Sequence, residues 1–332
     1  MDSLIFAVSA VLPIILTVAL GYILKRIGLF PKDLAKPVNK LVFRVFLPVL
    51  LFLNIYKIAN LSEINFGFVL YAVVAVLLFF ALGIPFAMLV TKDPAKRGPM
   101  LQCVFRSNYA LIGIPLAQSL FGDEGGAIAS ILSAFSIPLF NILAVISLSV
   151  FRSESENKTE MKAKIKEILI GIAKNPLIIA VVLGLSSLGI RALFINLGVS
   201  FRLSDVTPVY KVMNNLSNLA TPLALLVLGV QFDFNAVPEL KKEIIAAGCA
   251  RCLAVPALGL AAAYLFFPSF NGGHFAAFVA LFATPVAVSS VPMAQEMGGD
   301  TQLAGQLVVF TTAVSGFTIF LFSYMLKLLG VF

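Results

Sequence analysis

The chain of 332 residues carries few groups that could do chemistry: three cysteines, one histidine and 16 acidic residues, with 12% of positions charged. Three cysteines cannot build a disulfide framework, and a single histidine cannot anchor a His-rich metal site. Cys249 and Cys252 form a CxxC, but inside the apolar run GCARCLAVPALGL they read as two small buried thiols. No P-loop and no HExxH is present, which argues against ATP-driven pumping and zinc proteolysis. A membrane-embedded hydrolase would need a nucleophile beside a base, and His274 falls in a loop next to two glycines. Neither a metal nor an organic cofactor is expected, and the chain is not read as an enzyme.

What the chain has in abundance is apolar length. It is 60% hydrophobic with a mean hydropathy of +1.01, far beyond a soluble domain, so it reads as an integral protein of the lipid bilayer. The net charge of +8 is spread as short Lys/Arg clusters between apolar runs, as membrane topology requires, and nucleic acid is not an expected partner. Residues 1–24 lack a basic leader and a small-residue cleavage site, so they read as a retained first span. Further spans are expected near 38–56, 66–90, 100–121, 127–151, 168–190, 212–232, 244–267, 276–297 and 304–328. The fold class is therefore an all-α membrane protein of ten transmembrane helices.

Two of these spans read as copies of each other. FRSNYALIGIPLAQSLFGD, from Phe105 to Asp123, and FATPVAVSSVPMAQEMGGD, from Phe282 to Asp300, share P-[LM]-A-Q-x-[LM]-x-G-D at an offset of 292 − 115 = 177. PIILTVALG from Pro13 matches PLIIAVVLG from Pro176, and Pro48 in LPVLL matches Pro222 in TPLAL. Three matches in the same order imply a duplication: a first five-helix repeat over 1–151, a linker over 152–167 and a second repeat over 168–332. Five is odd, so the second copy is inverted in the membrane. With both ends outside, inner loops hold 15 Lys and Arg against five outside, which places the 152–167 linker in the cytoplasm.

The prolines Pro115 and Pro292 interrupt apolar spans and are expected to break spans four and nine into half-helices. Half-helix ends meeting at the midplane can hold a carboxylate with their dipoles. Around these breaks, Arg106 either attracts a carboxylate or reaches back to the inner surface, and Asn108 is favoured as a ligand. Ser289, Ser290 and Thr284 offer hydroxyls around the second break; any of them could bond back to its own helix, and substrate or ion contact is favoured for the two serines. Arg44, one turn from Pro48, either pairs with a carbonyl or lines the site, and Arg251 is expected to snorkel. Gln118 and Gln295 are read as caps for freed backbone; Asn54, Asn141 and Gln231 are weaker candidates. No acidic residue falls clearly at mid-membrane, Glu296 and Asp233 coming nearest, so the choice between a coupling proton, a coupling sodium ion and none stays open.

The stretch NYALIGIP from Asn108 to Pro115 resembles the auxin efflux carrier family, in which span four carries an Asn followed by a Gly-hydrophobic-Pro break. The resemblance covers nearly the whole chain, and the short central loop is similar to the bacterial branch, malonate- and malate-permease-like. It implies an architecture like that of sodium/proton antiporters and bile-acid symporters, with crossover helices four and nine. It further implies a secondary carrier of a small organic anion in a bacterial inner membrane, working as an elevator and assembled as a homodimer. On the family pattern Asn108, Gly113, Pro115 and Pro292 carry over to the crossover. TPVAVSSVP, from Thr284 to Pro292, departs from the plant pattern, which sets auxin itself aside. A sodium-coupled organic-anion symporter of the bile-acid type is the alternative.

Overall fold

The computed structural model describes residues 2–57, 65–153, 170, 173–197, 202–233 and 237–332. The 152–167 linker thus lies almost wholly outside the described residues. Helices account for nearly all of them, and no strand is present among them beyond one isolated bridge. Among the described residues six helical stretches are long and apolar enough to cross a bilayer: Lys32–Tyr56, Phe66–Val90, Tyr109–Phe151, Thr207–Gln231, Lys241–Phe266 and Thr301–Leu328.

In chain order the helices are α1 (Asp2–Arg26), α2 (Lys32–Tyr56), α3 (Phe66–Val90), α4 (Pro94–Phe105), α5 (Ile114–Ser153), α6 (Pro176–Asn196), α7 (Thr207–Gln231), α8 (Lys241–Phe266), α9 (Gly272–Ala283), α10 (Ser290–Met297) and α11 (Thr301–Leu328). Four of these helices, α3, α4, α9 and α11, have starts fixed by side-chain caps. Asn65, Asp93, Asn271 and Asp300 accept from the amides of Phe68, Ala95, His274 and Leu303 at 2.9–3.1 Å. His274 therefore sits in the first turn of α9, where it caps, and not in a loop. Within α5 the chain turns at Phe121 and Gly122, whose φ of 61° requires a residue without Cβ.

The prolines do not break the helices where the sequence suggested. Three wide π-helical turns, Val42–Phe46, Tyr109–Gly113 and Ala250–Ala254, each end two residues before a proline: Pro48, Pro115 and Pro256. In each, the residue ahead of the proline donates five residues back: Leu47 to Val42, Ile114 to Tyr109, Val255 to Ala250. The shifted register moves the carbonyl that a proline ring would otherwise strike, so the helix continues. Pro292 is the third residue of α10, where an amide has no intrahelical partner to lose. The gaps lie upstream, at Arg106–Asn108 between α4 and the π turn, and at Thr284–Ser289 between α9 and α10.

Small residues set the packing. A Cβ on Gly21 would lie 2.3 Å from the Leu226 carbonyl oxygen, and one on Gly229 would lie 2.0 Å from that of Val18, so α1 and α7 cross backbone to backbone. Gly184 of α6 admits Ile55 of α2 in the same way, its Cβ position 2.9 Å from that side chain. Helix α9 is buried from Phe275 to Ala283 and packs along α5. On its other side Phe278 meets Phe68 at a tilt and Tyr71 edge-on, both of α3, with centroids 4.9 and 5.0 Å apart, and the Tyr71 hydroxyl donates to the Gly259 carbonyl of α8.

Candidate functional site

The two gaps cross at the centre of the molecule. Ser107 and Val286 form an antiparallel bridge, with the Asn108 amide donating to the Pro285 carbonyl at 2.8 Å. The Val286 amide finds the Thr311 hydroxyl of α11 at 3.2 Å. Extended backbone at this depth survives because the second gap supplies a partner to the first and α11 supplies one to the second.

One face of this crossing opens on a cavity of about 230 Å³. The crossover lines it with Arg106, Ser107, Asn108 and Ser289, and α2 and α7 contribute Leu47, Leu51, Asn54, Thr221 and Ala224. Arg106 is 2% exposed. Its Nη1 donates to Gln102 Oε1 at 3.0 Å and to Ser290 Oγ at 3.4 Å; its Nη2 donates to Asn141 Oδ1 and Ser289 Oγ, both at 2.8 Å. Every one of these acceptors is neutral. Neither the Arg44–Glu296 nor the Lys96–Glu243 ion pair involves Arg106, and no carboxylate among the described residues balances it. Two buried donors beside it, Asn108 Nδ2 and the Ser107 hydroxyl, have no partner. Ser289 opens α10, whose first amides add a partial positive charge to the same spot.

The opposite face of the crossing belongs to Arg251, 1% exposed. Its Nε donates to the Thr284 carbonyl at 2.8 Å, Nη2 to that of Leu281 at 3.0 Å and Nη1 to that of Val104 at 3.4 Å. These carbonyls end α9 and α4. The expected snorkelling of Arg251 is thus wrong: ten residues past Lys241, or about 15 Å along a helix, the side chain lies too deep to reach water and turns inward.

Of the residues singled out from the sequence, the fold brings Arg106, Asn108, Ser289 and Ser290 together. Asn54 lines the same cavity and Asn141 accepts from Arg106, whereas Gly113, Pro115, Pro292 and Arg44 lie outside it. Gly113 is buried against α9, where a Cβ would meet the Ala280 carbonyl oxygen at 3.2 Å; Pro115 is exposed and Pro292 is packed within α10. Arg44 points elsewhere, its side chain 61% exposed and its Nε 4.0 Å from Glu296. It lies in a separate polar cavity with Lys174 and Asn175. Thr284 bonds back to Ala280, Gln118 reaches Asp123 and Gln295 accepts from Gln231, so none of them touches the site. The cysteines are free; Cys252 is buried as expected, but Cys249 is exposed. Gln102 and Ser107 were not singled out, although both lie within five residues of Arg106.

The profile of a family described as membrane transport protein matches residues 6–323. An uncharacterised transporter of Methanothermobacter thermautotrophicus is 24% identical over 318 residues, spanning 92% of this chain and 94% of that one. An uncharacterised transporter of Methanocaldococcus jannaschii is 27% identical over 235 residues, 69% of this chain and 70% of that one. With its apolar helices, its paired gaps and a match across almost its whole length, the chain belongs to the membrane transport protein family, that of the auxin efflux carriers.

Proposed function

We propose that this multi-pass transporter moves a small organic anion, a mono- or dicarboxylate, bound in the crossover cavity. The observation that carries this reading is Arg106: a buried guanidinium surrounded by neutral acceptors, with two unpartnered donors alongside. An uncompensated buried charge is costly, by several kcal/mol. A carboxylate would balance it, satisfy Asn108 and the Ser107 hydroxyl, and face the N-terminus of α10. The cavity is smaller than the ~300–1,000 Å³ typical of sites for drug-sized ligands, which suits a short acid.

The reading extends to architecture. Ten spans in two inverted repeats, 1–151 and 168–332, fit the packing, since the matched glycines Gly21 and Gly184 each admit a helix of the other half. The α1–α7 and α2–α6 contacts form a scaffold, and the crossover with its partners forms the moving body of an elevator. Both termini lie outside a bacterial-type inner membrane, and two copies assemble as a dimer.

A thermal-shift screen of detergent-purified protein against mono- and dicarboxylates, indole acids, bile acids and neutral amino acids tests the substrate class. One class of carboxylate should stabilise the wild type and leave the Arg106→Ala variant unmoved. Stabilisation by neutral amino acids alone would sink the reading.

A further inference from the structure

We infer that Arg251 is the resident cation of the crossover, standing where broken-helix carriers coordinate an inorganic coupling ion, so that this carrier works without sodium at that point. The inference rests on the reading of the chain as a carrier and adds what balances the negative side of its crossing.

Two helices, α4 and α9, end at the crossing, and each C-terminus carries roughly half a unit of negative charge on carbonyls without intrahelical partners. Together they amount to about one negative charge. In transporters with discontinuous helices, such unwound carbonyls and half-helix C-termini hold the coupling cation. Here a single guanidinium meets the carbonyls of Val104, Leu281 and Thr284. Its planar fork spreads one positive charge over several donors, so it reaches both helix ends at once, which a compact ammonium cannot do. A metal ion arriving at these carbonyls would have to displace a covalently tethered competitor and then sit beside it in a medium of low dielectric. The two faces of the crossing are therefore divided. The negative face is neutralised permanently from α8, and the positive face, with Arg106 and the start of α10, is left for the transported anion.

The test follows the melting temperature of purified, ligand-free protein in sodium, potassium and choline chloride at equal ionic strength. The wild type should melt alike in all three, and a rise specific to sodium would overturn the inference. Arg251→Met exposes the three carbonyls; it should melt lower in choline and recover by several degrees in sodium. Its anion uptake in choline should fall roughly ten- to hundredfold, the equivalent of one charge-assisted hydrogen bond. An Arg251→Met protein as stable in choline as the wild type would also refute it. Should that variant fail to fold, Arg251→Lys keeps the charge and must remain indifferent to sodium; a sodium requirement there counts against the inference. Carboxylate binding to the wild type, measured in parallel, separates the two readings: absence of binding removes the anion-carrier reading and leaves the sodium result to stand by itself.

Discussion

Arg106 and Ser289 meet across the crossover, guanidinium Nη2 to hydroxyl oxygen at 2.8 Å, although they lie on different broken spans. The cation of one gap is thereby held at the opening of the helix that follows the other. Both features are positive, and no carboxylate among the described residues faces them at ion-pair distance. Such an arrangement is electrostatically unfinished until an anion arrives.

Asn108 tests this directly. Its Nδ2 is buried without a partner, so Asn108→Ala should leave the folded protein as stable as before while abolishing anion uptake. Asn108→Asp would install a carboxylate beside Arg106 and should raise the melting temperature as it blocks uptake. Unimpaired uptake by either variant in proteoliposomes would remove Asn108 from the site.

Asn141 is the neutral acceptor that holds Arg106 from α5, and its own amide donates to the Ile137 carbonyl at 2.7 Å. Asn141→Leu should destabilise the empty protein by about 1–3 kcal/mol, the cost of a buried donor left unmet. A bound carboxylate should restore part of that loss, so the ligand-induced melting shift grows in the variant. A shift no larger than the wild type's would show that Asn141 acts only in packing.

The α1–α7 crossing makes a sharper prediction about folding. Gly229→Ala places a methyl 2.0 Å from the Val18 carbonyl oxygen, against backbone that cannot yield, and should cost more than the ~1–3 kcal/mol of ordinary overpacking. Gly316 in α11 has nothing within 4 Å of its Cβ position, and Gly316→Ala should stabilise by about 0.5–1 kcal/mol. Size-exclusion profiles and melting curves of the two variants should diverge in opposite directions from the wild type.

Arg44 and Glu296 form the contrasting case. Their separation of 4.0 Å and the exposure of Arg44 make a weak pair, worth about 0–1 kcal/mol. Arg44→Ala should leave both melting temperature and carboxylate binding close to wild type. A loss of binding comparable to that of Arg106→Ala would bring Arg44 back into the substrate path.

Much of the helical layout was legible because hydropathy alone bounds an apolar span: the third was expected at 66–90 and runs Phe66–Val90. The gaps were harder to place. Proline marks where a helix is perturbed, but at Pro115 a π turn absorbs the perturbation and at Pro292 the proline belongs to a helix start. The interruption sits instead at Arg106–Asn108 and Thr284–Ser289, where a polar side chain has distant partners. Arg106 and Asn108 could be suspected from polarity at depth. The role of Arg251 could not, because its three carbonyl partners lie on α4, at the end of α9 and in the gap that follows, and no local pattern announces a tertiary acceptor. Its depth of ten residues past Lys241 was the signal available.

The bridge between Ser107 and Val286 also imposes an order on biosynthesis. Val286 leaves the ribosome 286 − 107 = 179 residues after Ser107, roughly 10 to 35 s later at ordinary elongation rates of about 5–20 residues per second. Throughout that interval the first gap lacks the Pro285 carbonyl, and for the first 251 − 107 = 144 residues of it the Arg251 guanidinium as well, so its extended backbone must wait with water, the translocon or a chaperone as partner. The nascent first half is therefore the stage at which quality control has most to recognise, and the crossing closes only when the last spans arrive.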